Sequence, residues 1–145
     1  MEAEKKSENF VLTPVGVLHG DLKTREETPK NYDESDHVGM IEILPQYRQA
    51  MEGIEPGQII VVLFWLHRAK RDILRVHPRG DAGRPMRGVF ATRSPVRPNP
   101  VAISELLVTG VDGLKIAVSG VDVFDGTPVI DIKKRISDST IRADV

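Results

Sequence analysis

Apolar positions along the chain fall in short runs and alternations, broken by turn residues roughly every 8–12 positions. The first run, FVLTPVGVL at 10–18, is rich in strand formers and predicts a strand. GMIEIL at 39–44 alternates and predicts a second. PQYRQAM at 45–51 predicts a helix of about two turns, with Pro45 at its first position. Glu55-Pro56-Gly57 then turns the chain into the most apolar run, 58–66, which suits one buried strand. Further strands are expected at 73–76, 86–92 and 101–108. Asp112-Gly113 is a hairpin signal between VTGV and LKIAVSG. Runs at 121–124 and 129–132 close the core, on either side of DGTP. The polar stretches 19–36 and 77–85 read as long loops. One short helix among many short strands predicts a mostly β single domain, barrel or sandwich. It spans 10–136, with a disordered tail at 1–9 and a polar tail at 137–145.

Composition narrows the class. The chain has 145 residues, enough for one domain with a real core. The run at 59–66 is far shorter than the ~20 residues of a spanning helix, and the charged N-terminus lacks the apolar core of a secretion signal. There are no cysteines, which excludes disulfides and a thiolate zinc site, and the cytoplasm is the expected location. The four histidines show no metal-binding spacing. Net charge is −1, but it is unevenly spread. Between residues 67 and 97, nine Lys/Arg (68, 70, 71, 75, 79, 84, 87, 93, 97) face only Asp72 and Asp81. That cationic middle suits a polyanion or an anionic small molecule, or is a solvated basic loop.

Nucleotide fingerprints are missing, since no Gly-rich loop opens a helix, and there is no GxSxG elbow. Three other features carry candidate chemistry. RSPVRPNP at 93–100 holds three prolines and two arginines. Each X-Pro step favours an extended preceding residue, so this backbone is pre-ordered. It is either a stiff corner or a ligand clamp armed with Arg93 and Arg97. Asp125-Gly126-Thr127-Pro128, with Asp131 and Lys133 behind it, is either a hairpin turn or a site turn. His67-Arg68 ends the most apolar strand, where it reaches solvent beside other strand ends.

Taken together, GVFATRSPVRPNP with Ser104, followed by DVFDGTPVIDIK, resemble one family: the TsaA-like, TrmO-type β-barrel methyltransferases that use S-adenosylmethionine. HRAKRDILRVHPRGD, IEILPQY and Thr28-Pro29 extend the resemblance to about residues 10–134. It implies a β-barrel that binds S-adenosyl-L-methionine as a homodimer, with the site at or near the subunit interface. It also implies methylation of the exocyclic amine of threonylcarbamoyladenosine beside the anticodon of a threonine tRNA. Cofactor-contacting positions carry over to Pro29, Lys30, Asn31, His67, Arg68, Arg93, Ile103, Asp125, Gly126 and Thr127. The sequence departs from the family pattern at Asn31, where Gln is common, at Ala102, where Gly is common, and at Lys134-Arg135, where Pro-Tyr is usual.

Methyl transfer from a sulfonium is an in-line displacement that needs positioning in a dry pocket more than covalent help. Arg93 suits an anionic group. Asp125 and Asp131 are the candidate bases for the acceptor nitrogen, and Lys133 would offset charge developing on it. The basic span would meet tRNA phosphates. Two other classes fit the sequence: an S-adenosylmethionine-binding protein without methylation activity, and a cofactor-free β-barrel RNA-binding module.

Overall fold

The computed structural model describes residues 8–23 and 37–136. Pro29, Lys30, Asn31 and the tail at 137–145 lie outside them. Six strands close a barrel in the order β1-β2-β7-β6-β3-β8, and a separate two-stranded ribbon pairs β4 with β5. The barrel strands are β1 (Gly16–Gly20), β2 (Val38–Ile43), β3 (Ile59–Trp65), β6 (Val101–Asp112), β7 (Lys115–Ser119) and β8 (Pro128–Lys134). The ribbon is β4 (Arg75–Val76) and β5 (Arg87–Gly88). Every pairing is antiparallel, as closure of a meander-like barrel allows.

β3 shows why these residues make a barrel wall. Ile60, Val62 and Phe64 alternate inward and are buried, while Val61, Leu63 and Trp65 face outward and are half-buried. Leu18, Ile41, Leu106, Val108, Ile116, Val118 and Val129 complete the interior from the other five strands. Each fully buried side chain of this size stabilises by roughly 1.5–3 kcal/mol relative to exposure. Gly16 lets β1 approach β2, because a Cβ there would stand 2.5 Å from the Glu42 carbonyl oxygen. β8 slips register against β3 between Leu63 and Phe64, which pair with Asp131 and Val129. The unpaired Ile130 is a bulge, and beyond it Asp131 and Lys133 lie opposite the outward residues Leu63 and Val61.

Several expected elements differ. Residues 10–15 form no strand, and Phe10 and Val11 are 83% and 90% exposed, because nothing pairs with them before Val15. The expected strand at 86–92 shrinks to β5, followed by a 3-10 turn at Val89–Ala91. The expected strand at 73–76 keeps only Arg75–Val76. Residues 121–124 are not a strand, although Val121 and Val123 are buried. The helix at Pro45–Met51 is present as a 3-10 helix, with Pro45 in its first turn. β6 runs past 108 to Asp112, through a register shift at Val108–Gly110. Gly113 takes the hairpin turn at φ 59, the left-handed conformation that favours glycine. Among the described residues, no helix is long and apolar enough to cross a membrane.

Candidate functional site

The barrel has two mouths. Segment 120–127 crosses one of them as a plug. Its start is tied to the entry of β2, where the amides of Gly120 and Val121 donate to the His37 carbonyl at 2.9 and 3.1 Å. Val121 and Val123 then drop into the core. Its end is stitched to β1: Asp125 N donates to Leu22 O, and Gly126 N to Leu18 O, both at 2.8 Å. Leu18 N returns a bond to Thr127 O at 3.0 Å. Thr127 is 2% exposed, and its hydroxyl donates to the Phe124 carbonyl at 2.6 Å. The DGTP turn is therefore a built feature. Gly126 sits at φ 84 with open space around its Cα, so conformation rather than crowding selects glycine. With these bonds made, the carbonyls of Asp125 and Gly126 are what the turn offers a ligand.

Asp125 is fixed from β1. Gly20 N donates to its Oδ1 at 3.0 Å, and Lys23 Nζ lies 3.8 Å from Oδ2. The Gly20 amide is the main cause that holds its carboxyl below the ordinary value of 3.8, helped by the charges of Lys23 and His19 and opposed by desolvation. A carboxylate held ionised in this way orients well and accepts protons weakly. Arg68 lies over the Phe124 ring, 4.7 Å from its centroid, and brings a cation to the same mouth.

RSPVRPNP packs beside this mouth, and its prolines have a partner in arginine. Arg97 donates to the carbonyls of Val89 and, at 3.0 Å, Thr92. Its Nε is buried without a partner. Arg71 donates to Pro98 O at 2.6 Å and Asn99 Oδ1 at 3.1 Å, and lies over Trp65. Backbone bonds from Arg97 N to Lys70 O and from Leu66 N to Pro100 O complete the joint. The segment after β3, with His67 and Arg68, is thus locked to the segment that carries Arg93. Arg97 is a structural clamp and not a solvent-facing cation. Arg93 itself is exposed, and one end of its guanidinium donates to the Ile103 carbonyl at 3.0 Å.

The remaining candidates lie elsewhere. Ile103 is on the outer wall of β6, 45% exposed, and pairs with Leu63 of β3. Asp131 and Lys133 are on the outer wall of β8, ion-paired at 3.4 Å. The structure therefore gathers Arg68, Asp125, Gly126 and Thr127 at the mouth, with His67 and Arg93 on the segments locked beside it. It does not bring Asp131 or Lys133 to that mouth. One pair escaped the sequence reading: Ser104, 1% exposed, donates to Asp122 Oδ1 at 2.8 Å and ties the plug to β6. The signal was a hydroxyl at an inward position of an otherwise apolar strand. The other mouth holds a cavity of about 800 Å³, lined by Ile43, Tyr47, Met51, Ile60 and residues 131–135. None of the residues gathered at the plugged mouth lines it.

A closed six-stranded barrel, plugged at one mouth by a polar turn and flanked there by arginines, defines a small β-barrel domain with a candidate ligand site at that mouth. The chain belongs to the family of the tRNA-methyltransferase O N-terminal domain, which matches residues 17–139. A relative from Methanothermobacter thermautotrophicus, named a probable S-adenosyl-L-methionine-binding protein, is 46% identical over 88% of this chain and 90% of its own length. The S-adenosyl-L-methionine-binding protein of Archaeoglobus fulgidus is 41% identical over 86% of this chain and 88% of its own. The crystal structure of TrmO from Pseudomonas aeruginosa superposes with a TM-score of 0.74 at 26% identity, covering 97% of this chain and 62% of that one. Another TrmO crystal structure gives 0.75 at 29% identity, covering 95% and 62%. The chain thus spans about three fifths of the solved TrmO chains.

Proposed function

We propose that this chain is an S-adenosyl-L-methionine-dependent methyltransferase that methylates the exocyclic amine of threonylcarbamoyladenosine in a tRNA. Family membership and the names of the relatives support the cofactor. The observation that carries the reading is the stitched DGTP turn beside Arg68 and Phe124. The residues present fit the cofactor's chemistry. Carbonyls of Asp125 and Gly126 suit an adenine amine or a sulfonium, and the free side of the Arg93 fork suits a carboxylate. His67, Arg68, Ile103 and Thr127, with Pro29, Lys30 and Asn31, complete the proposed binding set. The bound cofactor supplies an activated methyl group. The protein's part is to orient the acceptor, exclude water and take the acceptor's proton. Asp125, held ionised by Gly20 N–H, serves best as an orienting carboxylate. Asp131, ion-paired with Lys133 on the outer wall of β8, is the other candidate base.

The working form is a homodimer in the cytoplasm. Ile59, Ile103 and Leu107 are outward on the adjacent strands β3 and β6, and 37%, 45% and 41% exposed, which supports a second copy on this wall. In this reading Ile103, Asp131 and Lys133, which lie away from the mouth of their own protomer, serve that of the partner. A methylation assay on threonylcarbamoylated tRNA tests the reading, with cofactor binding measured alongside. Tight cofactor binding with no methylated product would replace it with the second reading, a cofactor-binding protein without this activity.

A further inference from the structure

The ribbon of β4 and β5 is a sheet of its own, not paired to the barrel. Residues 73–90 carry four arginines, Arg75, Arg79, Arg84 and Arg87, against one acid, Asp81. Asp81 is engaged by Arg84 at 3.5 Å. Arg75 and Arg87 are exposed and have no acidic partner among the described residues. The register pairs Arg75 with Gly88 and Val76 with Arg87, so the two arginines leave opposite faces of the ribbon. Between and beside them are large apolar side chains in water: Leu74 is 62% exposed, Met86 42% and Phe90 85%.

Phe90 is the most telling of these. It sits on the 3-10 turn Val89–Ala91 at the foot of the ribbon. Val89 beside it is 2% exposed, and the Val89 carbonyl accepts from Thr92 Oγ1 at 2.9 Å and from Arg97. The turn is therefore fastened from below while its aromatic ring faces solvent. A fixed ring loses little entropy when something stacks on it. An exposed ring at the foot of a ribbon whose arginines lack acidic partners matches the chemistry of unpaired RNA, whose bases stack on aromatics and whose phosphates need positive charge. We propose that this ribbon is an RNA-binding arm, with Phe90 stacking on an unpaired base and Arg75 and Arg87 holding the flanking phosphates. The inference rests on the tRNA reading above and adds to it the element that grips the loop.

The test is anisotropy of a fluorescently labelled RNA hairpin with a purine-rich loop, next to a fully paired duplex of the same stem. Phe90→Ala is expected to weaken loop binding about five- to tenfold and to leave duplex binding within twofold. Phe90→Trp should restore it. Arg75→Gln with Arg87→Gln should lower the slope of log affinity against log salt by about 1.5. S-adenosylmethionine affinity by calorimetry should stay unchanged in all three. Unchanged loop binding by Phe90→Ala would overturn the arm and leave the tRNA reading standing. A Phe90→Ala protein that sediments with a smaller mass than the parent would overturn it too, assigning the ring to a contact between copies. A parent protein that binds neither RNA would remove both readings.

Discussion

The two mouths of this barrel are built on opposite plans. The Gly126 mouth has its space filled: Val121 and Val123 plug it, and nearly every donor of the DGTP turn is spoken for. The Tyr47 mouth is roomy, with about 800 Å³ walled by Tyr47, Met51, Ile43 and Ile132. Size alone would direct attention to the second. Chemistry directs it to the first, where a fixed turn, a cation over a ring and a pre-ordered arginine segment converge. The 3-10 helix at Pro45–Met51 contributes Tyr47, Ala50 and Met51 to the wall of that cavity. The more tightly bonded end is the one whose groups are held in place, which suits the positioning that methyl transfer requires.

That contrast is sharpest at Arg97. Its guanidinium holds the carbonyls on either side of the turn that leads into Arg93. Arg97→Ala removes a charged donor from two carbonyls, of which Val89 O keeps its bonds from Thr92, and is expected to lower stability by roughly 2–3 kcal/mol, the scale of lost charge-assisted bonds. The urea midpoint reads this, and cofactor affinity should fall with it. A midpoint within error of the parent would show that the prolines alone hold the segment.

Arg93 stands at the proposed ligand end of the same segment. Arg93→Ala should weaken S-adenosylmethionine binding about tenfold, roughly 1.4 kcal/mol, with the urea midpoint nearly unchanged. Affinity equal to the parent would remove Arg93 from the binding set and make its bond to Ile103 purely structural.

Asp125 gives a smaller effect, readable in pH. Its carboxyl is held below 3.8 in the fold, so its contribution to stability is full above that value and is lost as pH falls through the folded value. Asp125→Asn removes that contribution, and the acid limb of a thermal melt against pH should flatten below about pH 4. A limb identical to the parent's would mean that the Gly20 amide gives the carboxylate no advantage over an amide.

How much of this was legible in sequence depends on whether a residue pairs. β3 and β6 could be read from their apolar runs because both are flanked by strands on either side. Residues 10–15 and 86–92 have equal strand propensity but no full-length neighbour, and propensity without a partner leaves Phe10 and Phe90 in water. Segment 121–124 shows the reverse: its valines are buried because the chain crosses a mouth, which no local pattern announces. The candidate site was legible as motifs, which the resemblance assigned to the cofactor. What stayed hidden was the work of Arg97 and Arg71 on proline-segment carbonyls, and the Ser104–Asp122 tie. Arg71 and the Ser104–Asp122 tie join segments 27 and 18 residues apart, where spacing gives no signal, and Arg97 turns back on carbonyls that no side-chain pattern marks.

The last test addresses the roomy mouth. Tyr47→Leu keeps an apolar side chain on the 3-10 helix while removing the ring and hydroxyl that wall the cavity. If the cofactor sits at the Gly126 mouth, its affinity should move by less than twofold, under about 0.4 kcal/mol. Calorimetry on the folded variant reads it directly. A tenfold loss would shift the cofactor to the Tyr47 end, where Asp131 and Lys133 already line the wall. The DGTP turn would then be a strut that shapes the barrel, and Arg93 a clamp of β6 alone.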